Sequence, residues 1–290
     1  MKLIVKFNII FILVFALGFL AAAYQSNNLL QKNAQDEIVQ NARLIMESSL
    51  ASRAYTSSQV APLLQTQMKY EFLPQSVPAY GATEQFNSLR AKFPDFAYKE
   101  ATLNPTNLRD RATEWEVDLV NRFRQFPDQT EIVGQRDTPT GRSLYLAHPI
   151  QIKDAACLAC HSTVDAAPKT LLDKYGTANG FGWKLNEIVG AQVVSVPTSL
   201  PLQKASQAFK TFMLSLGMVF ALIFVTLNLM LWFMVVRPVT QLAKIADEIS
   251  RGKLDGTEFP KFGKDEIGRL AQAFSRMKKS LVQAMKMLDE

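Results

Sequence analysis

The chain has 290 residues, of which 48% are hydrophobic, 20% charged and 10% aromatic, and it contains 13 Gly, 13 Pro and 2 Cys. This composition is too apolar for a disordered protein and too poor in cysteine for a disulfide-rich scaffold. The net charge of +6 does not indicate nucleic-acid binding, because the basic excess is not concentrated on a folded domain. Residues 25–209 carry 18 basic and 18 acidic side chains, and the excess lies at Lys2, Lys6, Lys210 and in the tail 237–290.

Two segments, 7–24 and 211–236, carry no charged residue. A helix needs about 20 apolar residues to cross the hydrocarbon core of a bilayer. We therefore predict transmembrane helix 1 over 7–24 and transmembrane helix 2 over 211–236. The first segment also has the small residues of a signal-peptide cleavage site at 21–23, but we favour a retained signal anchor.

The positive-inside rule predicts the orientation of these spans. Basic residues precede the first span and follow the second, so we expect a cytoplasmic N-terminus at 1–6 and a cytoplasmic tail at 237–290. Residues 25–209 are then exported to the periplasm. This is the topology of a bacterial two-span receptor of the inner membrane.

Both cysteines of the chain lie in the run Cys157-Leu158-Ala159-Cys160-His161. C-x-x-C-H is the attachment signature of c-type haem, in which two thioethers from one short turn hold the vinyl groups and the histidine lies under the iron. The sequence therefore predicts one covalent haem c on Cys157 and Cys160, with His161 as the proximal iron ligand.

Three other interpretations compete. A disulfide between the two cysteines suits an exported domain but leaves His161 without a role. A thioredoxin-like redox pair is expected at the start of a helix in a βαβ unit, and no such pattern surrounds the motif. A zinc site needs four ligands, and the only other Cys or His is His148, so a carboxylate would have to complete it.

The sixth iron ligand is left open by the sequence. The candidates are Met46, Met68 and His148, and an open or water-bound position that suits gas binding is equally compatible with the pattern. Methionine is more often a core residue than a ligand. His148 lies in an alternating run and is more simply interpreted as a strand residue.

The remaining patterns of the exported region predict an α+β domain. Helical patterns precede three short β-rich runs. A turn at 137–142 joins the first two runs, and a Gly-rich loop at 175–183 precedes the third. The haem turn is inserted between strands. The predicted helices are 25–68, 83–100 and 105–124, and the predicted strands are Thr130–Asp137, Ser143–Ile152 and Ile188–Pro197.

Residues 35–200 resemble the bacterial exported c-type-haem sensor domains of PAS-like fold. The resemblance rests on the runs 53–56 and 60–64, Pro149-Ile150 before the haem motif, and Gly190-Ala191 with 193–197. It implies a five-stranded sheet, one covalent haem, His161 as proximal ligand and a variable distal side. At least one such domain uses an additional cysteine as sixth ligand, and this chain has none to spare.

Arg53 and Tyr55, which belong to the first of these runs, are predicted to lie near the haem. The alternative is that Arg53 forms a surface salt bridge and Tyr55 is a packed ring.

The tail 237–285 is similar to a HAMP domain, the relay module of bacterial sensor kinases and chemoreceptors. Two apolar stripes with heptad spacing are joined by a connector with Gly252, Gly256, Pro260 and Gly263. The resemblance implies an all-α parallel four-helix bundle formed by two chains, hence a homodimer. The residues that match HAMP are Pro238, Leu242, Gly252, Asp265, Glu266, Ile267, Gly268, Leu270, Phe274 and Met277, and the second stripe continues to Leu281, Ala284 and Leu288.

These patterns predict a signal transducer in which a haem redox change or a small gas (O₂, NO or CO) alters the exported domain. We expect no enzymatic activity, because no catalytic domain follows the HAMP pattern, and a separate cytoplasmic kinase, cyclase or similar protein as the output partner. The alternatives are a membrane-anchored monohaem cytochrome for periplasmic electron transfer and a peroxidase-like enzyme. No nucleic-acid partner is expected.

Overall fold

The computed structural model describes residues 3–139, 141–253, 259–260 and 263–289. Lys2, Thr140, Gly256 and the side chain of Leu288, which take part in sequence predictions, lie outside the described residues. The chain divides into two compact units. One comprises Met1–Asn27 and Phe209–Glu290, and the other comprises Asn28–Ala208.

The chain begins with a long helix, α1 (Leu3–Tyr55), which continues through a π-helical turn (Thr56–Val60) into α2 (Ala61–Leu64). A helix over 25–68 is therefore confirmed except for its last four residues. A second long helix, α7 (Ser199–Leu231), continues through another π turn (Trp232–Val236) into α8 (Arg237–Ser250). Both helices are long and apolar enough to cross a membrane, and neither apolar stretch is buried inside the protein.

The two π turns have the same cause. Each ends two residues before a proline, Pro62 in one case and Pro238 in the other. Proline has no N–H to donate, and its ring collides with the carbonyl four residues earlier. The preceding turn widens to accommodate this, which gives a local π bulge rather than a break in the helix.

The unit Asn28–Ala208 contains one antiparallel sheet in the order β1-β4-β3-β2. The strands are β1 (Ala97–Thr102), β2 (Ile132–Thr138), β3 (Gly141–Gln151) and β4 (Ile188–Pro197). The three predicted strands are confirmed and β4 has the predicted bounds. The resemblance implies five strands, whereas the described residues form a four-stranded sheet.

β1 was not predicted, because the pattern of 83–100 was interpreted as one helix. The structure corrects this: α3 (Pro78–Arg90) ends before Pro94, and the chain continues as strand β1. Proline disfavours helical backbone at the residue before it, and the chain beyond it alternates in burial as a strand does.

The second predicted helix, 105–124, begins later than expected. α4 (Glu114–Gln125) follows a short 3₁₀ turn (Leu108–Asp110) and opens with a capping box. The Glu116 carboxylate accepts a hydrogen bond from the Thr113 backbone N–H at 2.7 Å. This reciprocal capping satisfies N–H groups at the helix start and fixes it at Glu114.

The sheet is covered on both faces. On one face α1 and α3 pack against alternate strand residues, in a core of Ile38, Ala42, Met46, Ala82, Phe86, Tyr98, Leu144, Leu146, Val194 and Val196. On the other face α4 packs, in a core of Leu119, Val120 and Phe123 with Ala101, Ile132, Ala147, Ile188, Ala191 and Val193. The connection from β3 to β4 remains outside these cores and carries a 3₁₀ turn (Ala155–Cys157), α5 (Leu158–His161) and α6 (Lys169–Tyr175).

In the tail, α8 is followed by α9 (Glu266–Asp289). Leu242, Ile249 and Ala271 are buried between these helices of one chain. Other apolar side chains of the second predicted stripe remain exposed, namely Leu270, Met277 and Leu281.

Gly190 provides a test of the sheet. A Cβ at this position of β4 would lie 2.4 Å from the backbone oxygen of Ala101 on β1. Since a backbone atom cannot rotate away, we expect Gly190→Ala to destabilise the fold by about 2–3 kcal/mol in a urea unfolding titration. In Gly134→Ala the added Cβ meets the Tyr145 side chain, which can move, so the loss should be smaller. Equal losses in the two variants would contradict the close approach of β1 and β4.

Candidate functional site

The predicted attachment residues lie on one short helical turn. The Asp154 carboxylate caps the turn by accepting a hydrogen bond from the Ala156 N–H at 2.8 Å, and α5 follows directly. Cys157 is exposed, Cys160 is half-buried, and both thiols are free. Burial raises the pKa of both thiols, and the Asp154 carboxylate adds to this effect at Cys157. The turn therefore presents two neutral thiols three residues apart.

His161 is held in one tautomer. Its Nδ1 lies 2.7 Å from the carbonyl oxygen of Gly180. Because a carbonyl only accepts, the proton is on Nδ1 and Nε2 keeps its lone pair. Burial lowers the pKa of His161, which favours the neutral ring. A neutral imidazole whose other nitrogen is fixed by a backbone carbonyl is the form that ligates a metal.

The imidazole also stacks on an indole. The His161 and Trp183 ring centroids lie 3.9 Å apart with an angle of 14° between the planes. The backbone N–H of Trp183 donates to the His161 carbonyl at 3.1 Å, so the loop returns over the turn. Trp183 thus fixes the plane of the ring. Sequence reasoning missed this residue, since only tertiary contact brings it to His161.

Gly180 can occupy its position only as glycine. Its φ of 89° lies in the left-handed region, and a Cβ there would lie 2.1 Å from the Thr106 hydroxyl oxygen. Gly176 and Gly182 also have positive φ, at 77° and 83°. The predicted Gly-rich loop is confirmed for the residues after α6. The glycines gave a signal for a loop, but not for its contact with His161.

Cys160 packs in an apolar cluster of Phe72, Ala167 and Leu171, which also includes Met68. Of the three candidates for sixth ligand, Met68 is the one that shares a cluster with the cysteine turn. Its sulfur accepts hydrogen bonds from the Leu73 N–H at 3.0 Å and the Ser76 hydroxyl at 3.4 Å. The thioether is held in place but is already engaged.

The other two candidates lie elsewhere in the fold. Met46 is fully buried in the apolar core between α1 and the sheet. His148 lies on β3 with its Nε2 3.5 Å from the Glu131 carboxylate, which is also bound by Arg43. The hydrogen bonds and apolar clusters of the described residues join neither side chain to the cysteine turn.

Arg53 has buried partners rather than a surface salt bridge. Its guanidinium pairs with the buried Glu100 carboxylate, which also accepts a hydrogen bond from the Tyr98 hydroxyl at 2.8 Å. The Arg53 charge is close enough to Cys157 to oppose the rise in the pKa of that thiol. Tyr55 is 62% exposed on the wall of a groove between α1 and α3, and is thus not a packed ring. Arg53 therefore lies near the cysteine turn, whereas the place of Tyr55 in a haem pocket stays a prediction.

Asp110, which sequence reasoning also missed, lies near the same Glu100 carboxylate. Burial raises its pKa to about 6. The nearby Arg109, with Nε 3.7 Å from the carboxylate, opposes this shift, and repulsion from Glu100 reinforces it. No pattern in the sequence distinguishes this aspartate from exposed ones.

The zinc interpretation finds no support in the geometry. Within residues 3–139, 141–253, 259–260 and 263–289, no group of three or more His, Cys, Asp or Glu side chains is arranged to hold a metal ion.

Comparison with known proteins identifies the family of residues 31–197. The model of the Tll0287-like family matches residues 31–197, which is more than half of the chain. The chain belongs to the Tll0287-like family. The crystal structure of the cyanobacterial heme-protein Tll0287 is similar with a TM-score of 0.44 and 16% identity, over 56% of this chain and 95% of that chain. No curated protein matches the chain.

The Tll0287-like domain is followed by a HAMP domain, whose model matches residues 231–283. With the two helices that could cross a membrane, this is the architecture of a membrane sensor with HAMP. The predicted combination of an α+β sensor domain, two long apolar helices and a HAMP module is therefore confirmed.

Asp110 predicts a dependence of stability on pH. Its pKa is about 6 in the folded chain, against an ordinary value of 3.8. Between these values the unfolded chain ionises first, so stability is lost as the pH rises towards 6. We expect Asp110→Asn to be more stable than the parent at pH 7 by about 1–3 kcal/mol, with little difference at pH 4.

Urea unfolding of the detergent-solubilised chain at both pH values measures this difference. Asp137→Asn, which removes an exposed carboxylate from β2, is the control and should show little change at either pH. An Asp110→Asn variant no more stable than the parent at pH 7 would contradict the raised pKa.

Proposed function

We propose that this chain is a membrane-bound signal transducer that carries one haem c and senses redox state or a small gas. Cys157 and Cys160 would form the thioethers and His161 would be the proximal iron ligand. The observation that carries the proposal is the His161 ring, which is held by Gly180 and Trp183 with its Nε2 lone pair free, one residue after Cys160.

The groups around the turn fit a haem. Two free thiols on one turn match the spacing of the two vinyl groups, and the cluster around Cys160 offers an apolar wall. When bound, the haem supplies an iron that changes charge on reduction and accepts a sixth ligand. The similar cyanobacterial protein is described as a heme-protein, which supports haem binding by this member of the family.

The distal side is proposed to be open or to be filled by Met68. Met68 is favoured over Met46 and His148, because it alone of the three shares a cluster with Cys160. Its sulfur would have to give up two hydrogen bonds to ligate the iron. That cost favours a position left open for an exchangeable ligand such as O₂, NO or CO.

A path from the site to the tail is supported by the helices. α1 is continuous from Leu3 to Tyr55, and the Arg53–Glu100 ion pair ties its end to β1. β4 leads into α7 almost at once, since Pro197 ends the strand and Ser199 begins the helix. A change at the site that displaces the Arg53–Glu100 ion pair, or the junction between β4 and α7, would alter the position of a span. We place 25–209 in the periplasm, 7–24 and 211–236 in the inner membrane, and 1–6 and 237–290 in the cytoplasm.

The tail is proposed to form a homodimer and to act on a separate cytoplasmic kinase, cyclase or similar protein. Leu270, Met277 and Leu281 of α9 occupy the predicted stripe but are exposed in a single chain. In a bundle of two α8 and two α9 helices, these side chains would meet the partner chain.

A membrane-anchored electron carrier is the second candidate. The exposure of Cys157 favours it, because electron transfer needs a haem edge near the surface. The HAMP domain weighs against it, since an electron carrier needs no relay across the membrane. The same domain organisation favours signalling over catalysis, including a peroxidase-like reaction.

The haem assignment is tested by substitution of the cysteines in the full chain, produced with the c-type haem maturation system. We expect Cys157→Ala and Cys160→Ala each to lose the normal two-thioether attachment, and the double variant to carry no covalent haem. The measurement is haem staining after denaturing electrophoresis, with the pyridine haemochrome spectrum as a second readout. Ser162→Ala, on the same turn, should stain like the parent. Unchanged covalent haem in both single variants would refute the assignment.

The stimulus is distinguished by spectra of the oxidised and reduced protein with and without CO. A reduced spectrum that shifts with CO would mean an exchangeable sixth position and favour gas sensing. A spectrum indifferent to CO would mean two firm ligands, which leaves redox sensing or electron transfer. His161→Ala should alter the spectrum in either case, because the proximal ligand is lost.

The dimer is tested at Leu281, an exposed residue of the apolar stripe. We expect Leu281→Glu to reduce the dimeric fraction several-fold, because it places a charge in the proposed bundle. Chemical crosslinking in membranes measures this fraction. Ser280→Glu adds the same charge to the neighbouring exposed position and should leave the dimer unchanged. An equal dimeric fraction in both variants would mean that the chains are held together elsewhere.

A further inference from the structure

The two candidate membrane spans face each other along one stripe on each helix. Most side chains of the spans are exposed, and the half-buried ones recur at intervals of three or four residues. On α1 they include Ile4, Asn8, Phe11, Phe15 and Phe19, and on α7 they include Gly217, Phe220, Phe224, Asn228 and Leu231. Asn8 and Asn228 are the amide side chains in these stripes.

Ring contacts fix the register of the two helices. Phe15 lies 5.2 Å from Phe220 and 6.5 Å from Phe224 between ring centroids, and Phe19 lies 6.2 Å from Phe220. The helices are therefore antiparallel. About two turns back from Phe15 along α1 is Asn8, and about two turns on from Phe220 along α7 is Asn228. The rise along the two helices is nearly equal, about 10–12 Å, so the two amides lie at one level, and both belong to the half-buried stripes.

The hydrogen bonds of the two amides are incomplete. Asn8 Oδ1 is buried and, in the part of the chain that the structure describes, has no hydrogen-bond partner. Asn228 Nδ2 donates to the Phe224 carbonyl at 2.9 Å. Because an amide nitrogen carries two hydrogens, a second N–H of Asn228 remains for another acceptor. A buried carbonyl oxygen without a donor is costly, above all in an apolar environment without water.

We propose that the Asn8 side chain rotates so that its Oδ1, which has no donor within the described residues, accepts the second N–H of Asn228, which forms a polar clasp between the two spans. The clasp leaves the bond to the Phe224 carbonyl in place and satisfies the one buried acceptor of the Asn8 side chain. It is set among aromatic and aliphatic residues, where small shifts of packing cost little, so it supplies the directional contact that fixes the register. A sliding movement of one span past the other has to break it.

The clasp defines two positions for the spans. With the bond made, α1 and α7 move together. With the bond broken, Asn228 keeps its hydrogen bond to the Phe224 carbonyl of its own helix. The two spans are then free to slide past each other along their facing stripes. This inference stands on the spans alone and holds whether or not the exported domain carries a haem.

The test measures how readily two cysteines in the facing stripes become joined. Phe11→Cys and Phe224→Cys are placed in the full chain, with Cys157→Ser and Cys160→Ser so that no other thiol is present. By the register of Phe15 against Phe220, these two thiols lie at one level, one turn from the amides. Membranes are oxidised mildly and sampled over time. Alkylation followed by intact-mass measurement gives the fraction of chains with an internal disulfide.

We expect Asn8→Leu and Asn228→Leu each to slow disulfide formation several-fold, because the register is no longer held. The double variant should be no slower than either single variant, since both remove the same bond. Leucine is apolar and similar in size, so the variants remain able to insert in the membrane. Thr226→Val is the matched control: this hydroxyl donates to the Leu222 carbonyl of its own helix, and its loss should leave the rate unchanged.

Two results would overturn the clasp. Rates equal to the parent in both leucine variants would show that the aromatic contacts alone set the register. Slower disulfide formation in Asn228→Leu, with an unchanged rate in Asn8→Leu, would show that Asn228 has a different partner, such as the same residue of a second chain.

Discussion

The hydrogen bond between His161 Nδ1 and the Gly180 carbonyl is the contact on which the candidate site depends. It joins a turn that precedes α6 to a loop that follows it. The bond decides which nitrogen carries the proton, and Trp183 decides the plane of the ring. Both would be lost if Gly180 could not adopt a positive φ beside Thr106. The imidazole that follows the two cysteines in sequence is held in one orientation and one tautomer only because this loop closes over it.

A buried ion pair lies near this site and joins α1 to the sheet. Arg53, near the end of α1, pairs with one carboxylate oxygen of Glu100 on β1. The Tyr98 hydroxyl donates a hydrogen bond to the other oxygen. Removal of one member of such a buried pair leaves an uncompensated charge, at a cost of about 3–5 kcal/mol. The exposed pair Arg43–Glu131 joins α1 to the residue before β2 without that penalty. The buried pair is therefore the stiffer of these two connections between α1 and the sheet region.

The prolines that follow the two π turns show how strongly one residue affects the helical turn before it. Pro62 and Pro238 each widen the preceding turn without ending the helix. Pro62 lies inside the predicted helix 25–68, and Pro238 lies two residues after the predicted span 211–236. The structure shows the same response at both positions, because the ring and the missing N–H act on the same preceding carbonyl whatever the tertiary setting.

Much of the fold was predictable because its signals are local. The apolar spans, the alternating strands β2, β3 and β4, and the heptad stripes of the tail each follow from periodicity within a short window. β1 was missed because its alternation is short and adjoins a helical pattern, and only pairing with β4 makes it a strand. The start of α4 was misplaced because the capping box competes with a longer periodic pattern.

For the site, the sequence by itself determined which atoms are available: two thiols and an imidazole within five residues, in a chain with a HAMP domain and two apolar segments long enough to cross a membrane. Tertiary structure alone decided how they are held. The tautomer of His161, the partner of Arg53, the separation of Met68 from Met46, and the raised pKa of Asp110 all depend on residues brought together by folding. Residue type and spacing fix which functional groups are near each other in the chain, whereas burial and hydrogen bonding depend on distant segments that no local pattern records.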